Sequence, residues 1–145
     1  MKVVIQRVGR TALSVGGEPV SEIPFGLAVY FGVKQGDTEA QVEAIVRKIA
    51  ALRVFEDSLG KMNLSVKDVK GEILLISQFT LYGDCSHGNR PSFTEAARPE
   101  IAKPLYDLAA KLLAETGVPV KTGVFGADMT IDQQNLGPVT IVYEI

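Results

Sequence analysis

Gly71-Glu72-Ile73-Leu74-Leu75-Ile76-Ser77-Gln78-Phe79-Thr80-Leu81 is the stretch on which the fold turns. The apolar run Ile73 to Ile76 follows a glycine and passes into polar Ser77 and Gln78, the pattern of a strand buried on both faces and open at its end. A strand that needs cover on both faces is expected at the centre of a sheet. If the extended chain continues past Ile76, Gln78 and Thr80 share one face, and Ser77 and Phe79 share the other.

Working outward, Asp57 to Gly60 reads as a turn. Before it, Thr38 with Gln41 forms a capping-box signature, and Val42, Ile45, Val46, Ile49 and Leu52 fall on one helical stripe. After the central strand, Gly83 to Pro91 is a polar loop, and Ile101, Leu105, Leu108, Leu112 and Leu113 outline a second amphipathic helix that Gly117 can cap. Proline is tolerated in a first helical turn, so Pro104 predicts a start near Ala102 or Lys103, with Pro99 in the approach. Val3 to Val8, Ala12 to Val15, Pro19 to Ile23 and Gly26 to Val33 read as strands, with a turn at Gly16-Gly17. Val118 to Val124 and Val139 to Ile145 are the last two. Without linker or repeat, this order predicts one domain over residues 1–145. Its class is α/β, with mixed, largely antiparallel β-sheet layers and two main helices packed on them.

Fifteen Lys plus Arg against seventeen Asp plus Glu give a net charge of −2, so no global basic field advertises a long nucleic-acid partner. Arg47, Lys48, Lys61, Lys67, Lys70 and Arg90 are the residues a local basic patch would use, in a nucleic-acid-binding module without catalysis. No aromatic-interleaved basic motif accompanies them, and solvated helix and turn faces account for them as well. The lone Cys85 and lone His87 are too few for a zinc site, so no metal and no cofactor is expected. They also lack the third orienting group of a thiol protease. The apolar run Val3-Val4-Ile5 is too short for a membrane span or signal peptide. The expectation is a cytoplasmic protein in a reducing compartment.

Two segments carry the chemistry, Ser77-Gln78-Phe79-Thr80-Leu81 and Asn135-Leu136-Gly137-Pro138-Val139-Thr140. At the strand end, main-chain N–H groups near Phe79 and Thr80 can steady an oxyanion while Thr80 stands beside a reacting carbonyl. Equally, Ser and Thr there can simply satisfy local backbone groups. The Gly137-Pro138 step reads as a turn leading straight into the last strand. X-Pro bonds alone commonly reach the cis state, and a rigid backbone claw of two carbonyls at a residue without a Cβ could accept from an amino group and exclude a side chain of one chirality. A trans turn is the plain alternative.

Taken with Ile5-Gln6-Arg7-Val8, Gly60-Lys61-Met62-Asn63, Arg90-Pro91-Ser92-Phe93, Thr122-Gly123 and Phe125-Gly126-Ala127-Asp128-Met129, these segments resemble the D-aminoacyl-tRNA deacylase family over nearly the whole chain. The resemblance implies hydrolysis of the ester joining a D-amino acid, or glycine, to the 3′ acceptor end of tRNA. It implies a homodimer with sites at the interface, where a Gly-cis-Pro motif, Gly137-Pro138, enters the partner's pocket and rejects L-residues. Arg7 resembles the residue that anchors this motif. Ser77, Gln78 and Thr80 correspond to the catalytic end. Phe79, Phe125 and Met129 correspond to the substrate-binding wall, although the last two also read as core. Leu136 and Thr11 depart from the family pattern, where a polar residue and a smaller alanine are frequent.

The implied chemistry asks little of protein side chains, because the ribose 2′-OH beside the ester helps to activate water. Thr80 as a covalent nucleophile is the alternative, and it would need a base that the sequence does not place near it. A related deacylase that clears L-alanine from the wrong tRNA, carrying a trans Gly-Pro, is the neighbouring family. Arg7 and Ser77-Gln78-Phe79-Thr80 favour the D-specific branch.

Overall fold

The computed structural model describes all residues 1–145. Strand β1 (Lys2–Val15) is the spine, antiparallel to β2 (Glu18–Ile23) through its second half and to β3 (Gly26–Gly32) through its first. One continuous strand thus replaces the two expected over Val3–Val8 and Ala12–Val15. The β1–β2 turn is Gly16-Gly17, both at positive φ, as a two-residue hairpin turn matched to strand twist requires. Helix α1 (Glu39–Ala51) follows, with the Thr38 N–H donating to Gln41 Oε1 at 2.9 Å, as the capping signature predicts.

The chain then makes a small antiparallel hairpin, β4 (Arg53–Glu56) and β5 (Met62–Ser65), of which the sequence pattern shows only the turn. Asp57 organises its tip by accepting from the N–H groups of Leu59 at 2.8 Å and Lys61 at 3.0 Å. Strand β6 (Glu72–Ser77) is central as expected, parallel to β3 on one side and to β7 (Val120–Thr122) on the other. At Gly26 the β3 backbone meets β6 so closely that a Cβ would lie 1.9 Å from the Glu72 carbonyl oxygen. The extended chain stops at Ser77 and Phe79–Tyr82 forms a 3-10 turn, so the alternation of faces expected as far as Thr80 does not hold.

Helix α2 (Pro99–Glu115) starts earlier than expected. Pro99 takes the first helical position, where its missing N–H costs nothing, and Pro104 lies inside the helix. Pro104 and Glu100 are both exposed, so water can satisfy the carbonyl that Pro104 leaves without a donor. The buried stripe runs through Ala102, Leu105, Tyr106, Ala109 and Leu113, whereas Ile101 is turned to solvent. Gly117 ends the helix at φ +87°. Strand β7 is shorter than the expected Val118–Val124. Strand β8 (Met129–Glu144) starts ten residues before the expected Val139 and pairs antiparallel with β1 over nearly all of it.

Both helices pack on one face of the sheet. Val3, Ile5, Val29, Phe31, Ile73 and Leu75 meet Val42, Ile45, Ile49, Leu105, Ala109 and Leu113 there. Burying each large aliphatic or aromatic side chain contributes about 1.5–3 kcal/mol. On the opposite face Val8, Leu13, Ile23, Ala28, Leu74 and Ile76 form a smaller cluster under the β1–β2 end. The fold is therefore mixed α/β with a largely antiparallel sheet and two helices, as the sequence predicts.

Candidate active site

Parallel strands β3 and β6 end at the same level, where β6 turns into the 3-10 turn and α2 begins. A cleft of about 610 Å³ opens there, the usual place for a ligand in such a sheet. Ser77, Gln78 and Phe79 form one wall, with Phe125, Ala127 and Met129 opposite. Phe93, Ala97, Arg98 and Ala102 close the helix side. The lining is mostly apolar with a few polar groups, as expected of a small-molecule site.

Phe79 is 56% exposed and packs edge to face on Phe93, with ring centroids 5.2 Å apart. The turn's own hydrogen bonds run from the N–H groups of Leu81 and Gly83 to the carbonyls of Gln78 and Thr80. Thr80 is exposed and lies outside the cleft lining. Its Oγ1 accepts from Gln78 Nε2 at 2.5 Å, and an amide is not a base. Tyr106 supports the floor: its hydroxyl donates to the Leu75 carbonyl at 2.7 Å, and its ring packs on Phe31 and Phe125. Burial, followed by the neighbouring Asp107 carboxylate, holds that phenol above its ordinary ionisation range.

Arg7, Gly137 and Pro138 stand elsewhere. In the β1–β8 ladder Gln6 pairs with Thr140 and Val8 with Asn135, so Leu136 to Val139 bulge out opposite Arg7 alone. The expected turn before the last strand is thus a loop within it. Arg7 Nε donates to the Leu136 carbonyl at 3.2 Å and Nη1 to the Val54 carbonyl at 2.9 Å, joining the bulge to the β4–β5 hairpin. The Gly137–Pro138 peptide is cis, and Gly137 sits at φ +117°. A Cβ at Gly137 would lie 2.9 Å from Arg7 Nη2 and from Val139 Cγ2. At about 3.3 Å per residue, roughly 20 Å of extended chain separates Met129 in the cleft from Asn135 at the start of the bulge.

Sequence reasoning therefore named the residues of two places. Ser77, Gln78, Phe79, Phe125 and Met129 meet in the cleft, while Gly137 and Pro138 project from the sheet edge on Arg7. Phe93 belonged to a recognised segment without an assigned role, and Arg98 gave no signal, since one arginine before a helix reads as a solvated charge. The basic residues considered for a nucleic-acid patch are partly engaged locally. Arg47 pairs with Glu43, Lys48 lies over the Tyr143 ring, and Lys67 donates to the Thr116 carbonyl.

The mixed sheet with its two helices agrees with the family that the sequence motifs resemble. The chain belongs to the D-Tyr-tRNA(Tyr) deacylase family, whose pattern it matches over residues 4–144. It is 54% identical over 144 residues to the D-aminoacyl-tRNA deacylase of Limosilactobacillus reuteri (strain DSM 20016), covering 99% of each chain. A solved structure described as "c-Myc DNA Unwinding Element Binding Protein" is 46% identical and superposes with a TM-score of 0.93, covering 100% of this chain and 99% of that one. The structure of a probable eukaryotic D-amino acid tRNA deacylase shares the fold at 18% identity and a TM-score of 0.83, over 99% of this chain and 98% of the other.

Proposed function

We propose that this chain hydrolyses the ester of D-aminoacyl-tRNA, and of glycyl-tRNA, and rejects L-aminoacyl esters. It does so as a homodimer in which the Gly137-Pro138 bulge of one subunit enters the cleft of the other. The observation that carries this reading is the separation of the two motifs: the cleft has no polar claw of its own, and the bulge has no cleft behind it. A two-fold dimer exchanges the two parts reciprocally. The non-helical sheet face beside the bulge leaves Val142 64% exposed, which suits a second copy.

In the assembled site, carbonyls of the bulge accept from the substrate's amino group. Close backbone around the α-carbon leaves space for hydrogen but not for an L-side chain, and glycine passes for the same reason. Phe79 and Phe93 offer aromatic faces at the cleft mouth to the terminal adenosine. Main-chain N–H groups of Phe79 and Thr80 stabilise the oxyanion that forms when water adds to the ester carbonyl. Water is activated with the help of the ribose 2′-OH, because Thr80 has Gln78 and no base as its partner. The substrate places the protein in the compartment of translation, and no helix is long and apolar enough to cross a membrane. Ester loss from D-Tyr-tRNA and L-Tyr-tRNA with purified protein tests the reading. Cleavage of the D-ester with the L-ester spared supports it, and cleavage of L-alanyl-tRNA instead would move the chain to the neighbouring family.

A further inference from the structure

Arg7 holds the bulge from one side only. Consecutive residues of a strand point to opposite faces, so Gln6 meets the same loop from the other. Tyr30 Oη donates to Gln133 Oε1 at 2.9 Å. Gln133 Nε2 donates to Gln6 Oε1 at 2.7 Å and to Asn135 Oδ1 at 2.6 Å, and Gln6 Nε2 donates to Thr140 Oγ1 at 3.2 Å. Asn135 and Thr140 are the residues on either side of Leu136–Val139, where the β1–β8 register breaks. A side-chain chain of hydrogen bonds, Asn135 to Gln133 to Gln6 to Thr140, therefore ties the two ends of the loop together across the gap in the ladder.

We infer that Gln133 and Gln6 are positioning residues that close the neck of the Gly137-Pro138 loop and so set its selectivity. This rests on the proposed deacylase reading for its functional consequence and on the geometry alone for its structural one. Arg7 fixes the first carbonyl of the loop, and the glutamine pair fixes the spacing of its ends. Val139 packs against the main core and Leu136 is half-buried, but the Gly137-Pro138 tip itself is exposed, so its shape depends on these bonds. The pair also explains why the motif begins and ends with polar Asn135 and Thr140 although neither lines the cleft.

The network has a polarity that can be reversed. A glutamate at position 133 accepts from Tyr30, from a flipped Gln6 amide and from a flipped Asn135 amide, while Thr140 Oγ1 donates to Gln6 in return. Methionine has the same length and makes none of these bonds. Gln133→Met is thus expected to lower the ratio of D-Tyr-tRNA to L-Tyr-tRNA hydrolysis by about tenfold, and to speed amide hydrogen exchange at Leu136, Gly137 and Val139. Gln133→Glu is expected to keep both near wild type. Gln6→Met breaks the same pair from the other end and serves if Gln133→Met does not fold. Wild-type exchange in a folded methionine variant, or equal damage from glutamate and methionine, overturns the inference. If the wild-type protein itself shows no D-against-L preference, the deacylase reading fails, and the exchange measurement still decides the clamp.

Discussion

Arg7 donates to the main-chain carbonyl of Leu136 at 3.2 Å, so a charged side chain of the first strand fixes the backbone of the last. The same guanidinium reaches the Val54 carbonyl at 2.9 Å, and its side chain is only 12% exposed. One planar fork thus spans the bulge and the β4–β5 hairpin. A lysine offers a single ammonium centre and can hold one of the two carbonyls. Arg7→Lys is expected to destabilise the fold by about 1–3 kcal/mol and to reduce D-Tyr-tRNA hydrolysis at least about tenfold. Urea unfolding with initial rates checks both.

Ala127 lines the cleft from a loop and belongs to no packed core. Ala127→Trp should fill the cleft and abolish ester hydrolysis with little change in thermal midpoint. Full activity in this variant would remove the cleft from the reaction.

At Tyr106, chemistry and stability meet under the cleft floor. The Leu75 carbonyl that accepts its hydroxyl also accepts the Gly123 N–H at 3.0 Å, so Tyr106→Phe leaves that carbonyl with a partner. The expected cost is about 1 kcal/mol. Burial raises the ionisation range of Tyr106 and, with nearby carboxylates, that of Tyr82. A phenol whose folded value is raised stabilises the fold fully below its unfolded value and loses that contribution as pH climbs through the folded one. Stability should fall from about pH 10 upward, and less steeply in Tyr106→Phe. Chemical denaturation across that range measures the slope.

Gly26 tests the close approach of β3 to β6. It lies at φ +145°, and a Cβ would strike the Glu72 backbone. Strain and overlap together predict that Gly26→Ala costs about 3 kcal/mol or more, read as a drop in the urea midpoint.

The central strand was legible because an unbroken Ile73–Ile76 run can only be covered on both faces, and α1 because its cap and its stripe agree. The α2 stripe was legible in part: Leu105 and Leu113 are buried and Leu108 and Leu112 pack at the margin of the core, but the buried face also takes Ala102, Tyr106 and Ala109, which the leucine pattern does not reveal, and leaves Ile101 outside. The β4–β5 hairpin has too short an alternation to register in sequence. Strand alternation located Ser77 but could not foresee the 3-10 turn that redirects Thr80. The cleft residues were named through family motifs, since Phe125 and Met129 read equally as core. The bulge at 136–139 depends on register with β1, a long-range property that no local pattern contains.

Mixing two inactive variants tests the central claim, that each site takes its cleft from one subunit and its Gly137-Pro138 loop from the other. Gly137→Ala damages the loop, because its Cβ would press on Arg7 and Val139, and Ala127→Trp blocks the cleft. When the two are unfolded together and refolded, half of the dimers are mixed, and each mixed dimer contains one intact site. The account predicts recovery of about a quarter of wild-type D-Tyr-tRNA hydrolysis. No recovery from a mixture that is folded and dimeric would contradict it.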